Sequence, residues 1–194
     1  DHGVGCARFD FYGCGESDGE FSDMTFDGLH SDADDLYAWV LAQPYVDSRR
    51  VFLSGQSMGG YVAASIAPHL RPHGLILMCP GAGMWYGCAQ RADMVTQSGK
   101  DYADLEGLVY KMAFNYSMAA HPDPFEEAKG YNGPVIVIRA DDDKLVDDES
   151  CKRYAGLYQA AEFVHVSGGG HNFTTIPSRT ACEQAIWKFI QDNL

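Results

Sequence analysis

Ser57 lies at the centre of a Gly-x-Ser-x-Gly motif that runs from Gly55 to Gly59. An apolar run at 51–53 precedes the motif, and small residues with helical spacing follow it at 61–67. A serine between a buried strand and a helix is typical of a nucleophile elbow, a strained turn that exposes the hydroxyl at the end of the strand. Glycine is expected at 55 and 59 because side chains there would collide in so tight a turn. The motif therefore predicts a serine that attacks a carbonyl carbon.

The backbone N–H of Met58 is a candidate to stabilise the negative charge that such an attack creates. Met58 follows the serine directly and lies at the predicted N-terminus of a helix. Unpaired N–H groups and the helix dipole favour an anion at that position. We therefore expect this N–H to be one donor of an oxyanion hole.

A serine nucleophile also needs a base, and there are seven histidines to choose from. His171 follows the glycines at 168–170, just after a predicted strand at 162–166, so its loop can bring the imidazole toward Ser57. His165 lies within that strand and is interpreted as a side-packing residue. The others are expected to be solvated: His2, His30, His69, His73 and His121.

The acid that orients the base is expected in the acidic run 141–143, which follows an apolar strand. Asp143 is the preferred candidate and Asp142 the second. Asp147 and Asp148 fit a different role, because a helix is predicted to begin there and acidic side chains stabilise a helix N-terminus. Acid and histidine thus both follow the carboxyl ends of strands, where open α/β sheets place their sites.

The elements that must position these residues alternate between strands and helices, which predicts an α/β fold. Strands are predicted at 4–11, 51–54, 74–79, 134–139 and 162–166. Helices are predicted at 26–43, 61–67, 148–159 and 174–192. Only the segment 84–131 breaks this alternation.

Four segments give the chain a family resemblance. Residues 8–19 are similar to R-x-D-x-x-G-x-G-x-S-x-G, and residues 55–60 are similar to G-H-S-x-G-G, with Gln56 in place of the common histidine. Residues 139–146 are similar to H-G-x-x-D-x-x-V, and the pair 170–171 is similar to G-x-x-H. In this order the segments resemble the α/β-hydrolases, most closely the serine esterases of the cinnamoyl (feruloyl) esterase group and their acylglycerol-lipase-like relatives.

The resemblance implies an α/β-hydrolase fold, a mostly parallel sheet flanked by helices, in a single domain over 1–194. It places the catalytic acid on Asp143, beside Ser57 and His171, and implies that the insertion 84–131 forms a lid. The insertion is rich in bulky side chains, which either line an acyl or aryl pocket or only pack the lid: among them Met84, Trp85, Tyr86, Met94, Tyr102, Tyr110 and Phe114.

The resemblance also implies parts that this sequence does not contain. In the family the second oxyanion donor comes from a His-Gly-x loop after the third strand, whereas 4–11 already resembles the fourth strand. The chain is therefore expected to be N-terminally incomplete, without the first three strands and without the second donor. The segment 4–11 would then leave a gap beside the strand at 51–54 or pair with it.

Composition restricts the partners. The net charge of −13 argues against nucleic acid and anionic membranes, since both attract basic surfaces. The six cysteines are scattered, which argues against a zinc site and favours a reducing, cytoplasmic compartment. No apolar run reaches membrane-spanning length. We expect no cofactor and no metal, and the oligomeric state stays open.

These expectations combine into a serine hydrolase that cleaves a small-molecule carboxylic ester through an acyl-enzyme. Cinnamoyl (feruloyl) and short-chain esters are both open as substrates. The alternatives with the same three residues are a thioesterase, an acyltransferase, an acylglycerol lipase or a peptidase of the same fold. The non-enzyme alternative is an inert fragment or a hydrolase-fold binding protein.

Overall fold

A computed structural model of the protein describes residues 3–105 and 107–194, so His2 lies outside the described residues. The chain forms two compact units. The ranges of the first are Asp1–Val46 and Gly87–Ala120, and those of the second are Asp47–Tyr86 and His121–Leu194. All three candidate catalytic residues belong to the second unit.

A four-stranded parallel sheet forms the centre of the second unit, and a two-stranded antiparallel sheet belongs to the first. The strands are β1 (Phe52–Gln56), β2 (Gly74–Met78), β3 (Tyr102–Leu105), β4 (Leu108–Lys111), β5 (Val135–Ala140) and β6 (Ala161–Val166). The parallel sheet has the order β1-β2-β5-β6. Its inner strands, β2 and β5, are continuous apolar runs and almost wholly buried, as expected of parallel strands covered on both faces.

Helices alternate with the parallel strands, as the sequence predicts. They are α1 (Phe26–Leu41), α2 (Met58–Leu70), α3 (Cys88–Gln97), α4 (Ala113–Ala120), α5 (Pro124–Glu127), α6 (Asp148–Leu157) and α7 (Ile176–Asp192). Asp147 is the N-cap of α6 and accepts a hydrogen bond from the Ser150 N–H, which confirms the capping role predicted for it. No helix within residues 3–105 or 107–194 combines the length and apolar character that crossing a bilayer requires.

The helix α2 packs tightly against the strands because its inner face is made of small side chains. Ala63, Ala64 and Ala67 are all buried in the core formed with β2 and β5. Small side chains let the helix backbone approach the sheet closely. The serine at the start of α2 is thereby attached to a rigid layer of the second unit.

The segment 4–11 is not a strand, contrary to the sequence-based prediction. Residues 4–10 are exposed, and within the described residues they share no ladder with any strand. Exposed backbone groups can bond to water, so this segment has no need of a strand partner. In the sequence analysis, this segment was expected to pair with the strand before Ser57 or to leave a gap beside it. The pairing is not observed among the residues that the structure describes. In the described part of the chain, β1 pairs with β2 alone.

In its described residues, the segment 84–131 contains helices and a hairpin that no periodicity in the sequence predicted. The helices are α3, α4 and the short α5, and the hairpin joins β3 to β4. The part of this segment from Gly87 to Ala120 belongs to the first unit, whereas the rest belongs to the second. In the first unit, α3 and α4 are linked by a hydrogen bond from the Asn115 side chain to the Cys88 carbonyl.

Candidate active site

Ser57 occupies the sharp turn between β1 and α2. Its φ of 53° and ψ of −119° lie outside the regions that non-glycine residues favour, and such strain costs about 1–3 kcal/mol. Backbone hydrogen bonds hold the turn in place. The Ser57 N–H donates to Met78 O at 2.9 Å, and the Ser57 carbonyl accepts from Tyr61 N at 3.0 Å and from Gly81 N at 2.8 Å.

Close approach at the turn explains the glycine at 55 but not the one at 59. A Cβ at Gly55 would lie 2.1 Å from the Gly59 carbonyl oxygen, which backbone atoms cannot accommodate. A Cβ at Gly59 would meet nothing within 4 Å, so the predicted collision at that position is wrong. The second crowded position is Gly60, where a Cβ would lie 3.0 Å from Pro80 Cα. The tight turn therefore needs glycine at 55 and a very small residue at 60.

Met58 is the first residue of α2, so the helix provides no acceptor for its N–H. Gly81 passes close by, since a Cβ there would lie 3.4 Å from Met58 N. The N–H group thus sits beside the serine, at the positive end of the helix dipole. This is the position that an oxyanion donor requires.

Asp143 and His171 form a hydrogen-bonded pair. His171 Nδ1 lies 2.9 Å from Asp143 Oδ2, and the Asp143 side chain is fully buried while that of His171 is 11% exposed. The other carboxylate oxygen accepts from Leu145 N at 2.8 Å and from Val146 N at 3.0 Å. Burial raises the pKa of the Asp143 carboxyl, but the hydrogen bonds from His171, Val146 and Leu145 outweigh it, so the pKa is lowered overall. The carboxylate is therefore held ionised against the imidazole.

The acidic run 141–143 makes three hydrogen bonds to the histidine loop, residues 168–171. Asp141 Oδ1 accepts from Gly168 N and Asp142 Oδ1 accepts from Gly170 N, each at 2.8 Å, while Asp143 binds the ring of His171. Asp142, the second candidate for the acid, thus binds the backbone of the loop and makes no hydrogen bond to the ring. The glycines 168–170 all have positive φ, a conformation that side chains rarely adopt.

Arg139 supports the backbone of the acidic run. It was not identified as a functional residue in the sequence analysis. The residue is only 7% exposed, and its guanidinium donates to Val146 O and Asp143 O at 3.0 Å each. A charged side chain at the end of a buried strand was the only sequence signal for this role. By binding these two carbonyls, the guanidinium restrains the backbone that carries the Asp143 side chain.

Gln56 and Cys79 bring the serine turn and the histidine loop together. Gln56 precedes Ser57 and donates from Nε2 to the His171 carbonyl at 3.0 Å. Cys79 Sγ donates to the same carbonyl at 3.4 Å. Within the described residues, Ser57 Oγ and the His171 ring make no hydrogen bond; contacts of this kind often tighten only when substrate binds. The two segments are nevertheless linked directly through the residue next to the serine.

Among the remaining histidines, His73 and His121 were expected to be solvated but are half-buried, whereas His165 was expected to pack and is exposed. His121 Nδ1 lies 2.7 Å from Glu127 Oε1, and its side chain is 14% exposed. His73 Nε2 contacts Asn193 O in the C-terminal region, and His165 Nε2 pairs with Asp148 at the surface. Each of the three therefore has a structural partner away from Ser57.

Three side chains come close enough to be considered as metal ligands. Ligand atoms of Cys79, Asp143 and His171 all lie within 4.8 Å of one another. Burial, and after it the neighbouring Asp143 carboxylate, raises the pKa of the Cys79 thiol to about 12, whereas metal binding requires the thiolate. The His171 Nδ1 is already bonded to Asp143. The arrangement is therefore better suited to moving a proton than to holding a metal ion.

The sequence matches a family model and is similar to curated proteins. Residues 1–103 match the family described as serine aminopeptidase, S33. Two uncharacterized proteins of Mycobacterium tuberculosis, from strains CDC 1551 and H37Rv, are each 25% identical over 98% of this chain. The chain spans 62% of the length of these curated relatives.

Solved structures support the fold. The ferulic acid-bound structure of Est1E from Butyrivibrio proteoclasticus has a TM-score of 0.82 at 21% identity, covering 95% of this chain and 75% of that one. Alpha/beta hydrolase domain-containing protein 10 from mouse has a TM-score of 0.70 at 16% identity, covering 95% and 77%. The family match extends over more than half of the chain, and the strand-turn-helix around Ser57 fits the fold. The chain is thus a member of the serine aminopeptidase S33 family and has the α/β-hydrolase fold.

Proposed function

We propose that the protein hydrolyses carboxylic esters through an acyl-enzyme, with Ser57 as nucleophile, His171 as base and Asp143 as the acid that orients the base. The observation that carries the proposal is the 2.9 Å pair between His171 Nδ1 and the buried Asp143 carboxylate, beside a strained serine turn. A base held by an acid next to a serine is the arrangement that acyl transfer requires.

The first step is attack of Ser57 Oγ on the ester carbonyl. The hydroxyl proton passes to His171 Nε2, while Asp143 keeps the Nδ1 proton in place and stabilises the imidazolium. The lowered pKa of Asp143 supports this role, because a protonated carboxyl would lose the charge that the imidazolium needs. The Met58 N–H donates to the oxyanion, and the leaving alcohol takes its proton from His171.

The second step returns the enzyme to its starting state. Water attacks the acyl-serine while His171 removes a proton from it, and the carboxylic acid leaves as Ser57 recovers its hydrogen. Each proton that His171 accepts is passed on within the same half-reaction. The cycle therefore needs no cofactor.

We propose further that the segment 84–131 acts as a lid and selects the acyl group. Its first-unit part carries an open groove of about 450 Å³. The lining combines apolar and aromatic side chains, including Met94, Tyr102 and Tyr110, with charged and polar ones. Such a lining suits an aryl or medium-length acyl group. Est1E binds ferulic acid, and a feruloyl or other cinnamoyl ester is accordingly our first substrate class, followed by short-chain esters.

Replacement of the serine tests the proposal. In the Ser57→Ala variant we expect hydrolysis of p-nitrophenyl acetate to fall by up to about 10⁶-fold in kcat, because the nucleophile is gone. Ser54→Ala is the matched control, since Ser54 is the exposed residue of β1 and its replacement should leave turnover unchanged. Labelling by a fluorophosphonate probe should disappear in the first variant alone. Full turnover in Ser57→Ala would remove this serine from the reaction.

The family description keeps a peptidase as the second candidate. Methyl ferulate, p-nitrophenyl butyrate, an acyl thioester, a monoacylglycerol and an aminoacyl-p-nitroanilide should be compared at equal concentration. We expect the oxygen esters to give the highest kcat/KM. A preference for the anilide would assign the same three residues to an aminopeptidase, and a preference for the thioester would assign them to a thioesterase. Transfer of the acyl group to an added alcohol would indicate an acyltransferase.

A further inference from the structure

The backbone carbonyl of His171 accepts two side-chain hydrogen bonds. Gln56 Nε2 donates to it at 3.0 Å, and Cys79 Sγ donates to it at 3.4 Å. Gln56 is the last residue of β1, and Cys79 directly follows Met78 at the end of β2. The histidine loop is therefore attached to two neighbouring strand ends through a single oxygen atom.

The Cys79 side chain is held in a fixed place. The residue is fully buried, its φ of 37° is positive, and its N–H donates to Ile138 O at 2.8 Å. A positive φ in a non-glycine residue is strained and is retained only where the surroundings enforce it. The thiol also keeps its proton, because burial raises its pKa to about 12. It therefore remains a hydrogen-bond donor across the physiological pH range.

The loop that carries His171 needs such anchoring. Gly168, Gly169 and Gly170 precede the histidine, and glycine gives the chain more conformational freedom than any other residue. Gln56 adds a second contact, since its Nε2 also lies 3.2 Å from Asn172 Oδ1 on the far side of the histidine. The backbone carbonyl of His171 and the side chain of the next residue, Asn172, are thus both restrained.

We propose that Gln56 and Cys79 are positioning residues that form a two-donor clamp on the His171 carbonyl and hold the imidazole between Asp143 and Ser57. The proposal deepens the proposed function and rests on it for its effect on turnover. Neither side chain is assigned a chemical step. Gln56 acts through the segment that carries the histidine, and Cys79 acts through that segment and through its contact with the Asp143 carboxylate.

A shared acceptor makes a distinctive prediction. Loss of one donor leaves the carbonyl bonded to the other, whereas loss of both leaves it without a side-chain donor. Groups that share a partner behave non-additively. The double variant should therefore lose more activity than the product of the two single losses.

The experiment compares Gln56→Leu, Cys79→Ala and the double variant by kcat and KM for p-nitrophenyl acetate. We expect kcat to fall about 3- to 10-fold in each single variant and more than about 100-fold in the double variant, with KM nearly unchanged. Cys79→Ser should restore most of the loss at that position, because the hydroxyl is again a donor. Cys182→Ala, which removes a buried thiol from α7, should leave kcat unchanged.

A second reading does not depend on turnover. The proton between His171 Nδ1 and Asp143 should give a downfield proton NMR signal that persists in the wild type and in Cys182→Ala. The signal should exchange faster with water in Gln56→Leu and be lost in the double variant. If the protein hydrolyses no ester but this signal responds as described, the clamp proposal is supported and only the proposed ester hydrolysis is refuted.

Three outcomes overturn the clamp. One is a double variant with the kcat and the signal of the wild type. Another is a Cys79→Ser variant as impaired as Cys79→Ala, which would assign the loss to packing. If Cys79→Ala prevents folding, the Gln56→Leu variant alone tests the clamp. This variant is expected to fold, because the Gln56 side chain is only half-buried at the edge of the sheet. An unchanged exchange rate of the Nδ1 proton in that variant would overturn the clamp.

Discussion

Asp143 and Asp142 differ in what their carboxylates bind, and amide substitutions exploit the difference. In Asp143→Asn the side chain can donate to the imidazole, which favours the wrong tautomer, so kcat for p-nitrophenyl acetate should fall by about 10⁴-fold. In Asp142→Asn an oxygen is still available for the Gly170 N–H, and kcat should stay within about threefold of the wild type. The opposite ranking of the two variants would transfer the role of the acid to Asp142.

The Asp143 carboxyl also links stability to pH. Its pKa is lowered from the unfolded reference of 3.8, chiefly by hydrogen bonds that overcome the opposing effect of burial. A group with a lower pKa in the folded state stabilises the fold above the unfolded pKa and loses that contribution as the pH falls through the folded pKa. The free energy of unfolding of the wild type should therefore decline more steeply below pH 3.8 than that of Asp143→Asn. Urea unfolding at a series of pH values measures this, and parallel curves would contradict it.

At this scale the sequence predicted the reacting residues better than their supports. Ser57, Asp143 and His171 have the residue types and the order that acyl transfer needs, so a pattern could point to them. Gln56 and Cys79 act by donating to a backbone carbonyl, and many residue types can do that. No pattern of side chains marks such contacts, and only the folded chain reveals them.

Among the elements, the turn between β1 and α2 offers a matched pair of substitutions. Gly55→Ala places a Cβ 2.1 Å from the Gly59 carbonyl oxygen, and overpacking of this kind costs about 1–3 kcal/mol or more. Gly59→Ala enters open space within a helix, where alanine is favoured over glycine by about 0.5–1 kcal/mol. Free energies of unfolding from urea titration should thus fall for the first variant and hold or rise for the second. Equal losses would mean that the turn is not the source of the requirement.

The four predicted strands that form the parallel sheet are confirmed to within two residues at each end, because apolar runs mark them. The segment 4–11 failed as a strand for a physical reason. Its residues have the composition of a strand, but a strand exists only with a partner, and a partner is a property of the fold. The hairpin of β3 and β4 was missed because its short strands are mostly exposed and show no clear alternation.

For the whole molecule, stability should be distributed as the sheet order dictates. Both inner strands, β2 and β5, have a neighbour on each side and are almost wholly buried. The hairpin of β3 and β4 is largely exposed. Among the strands, native-state hydrogen exchange should therefore be slowest in β2 and β5 and fastest in the hairpin. Faster exchange in β5 than in the hairpin would contradict this order.

The division into two compact units was not predictable from the chain. The first unit joins residues 1–46 to 87–120, two stretches that the strands around Ser57 separate in the sequence. Periodicity describes neighbours along the chain, whereas such a grouping depends on long-range contacts. Family membership was reachable because it depends on short motifs in a fixed order.

The pairing of the acidic run with the glycine loop has a consequence for how this region can change. The hydrogen bonds follow the same order along both segments: Asp141 pairs with Gly168, Asp142 with Gly170 and Asp143 with His171. One residue inserted into or deleted from either segment would misalign all the later pairs at once. Each segment can therefore tolerate point substitutions independently of the other. A change in the length of one segment requires a matching change in the other. Anyone who grafts this histidine loop onto another scaffold should transplant its acidic counterpart with it.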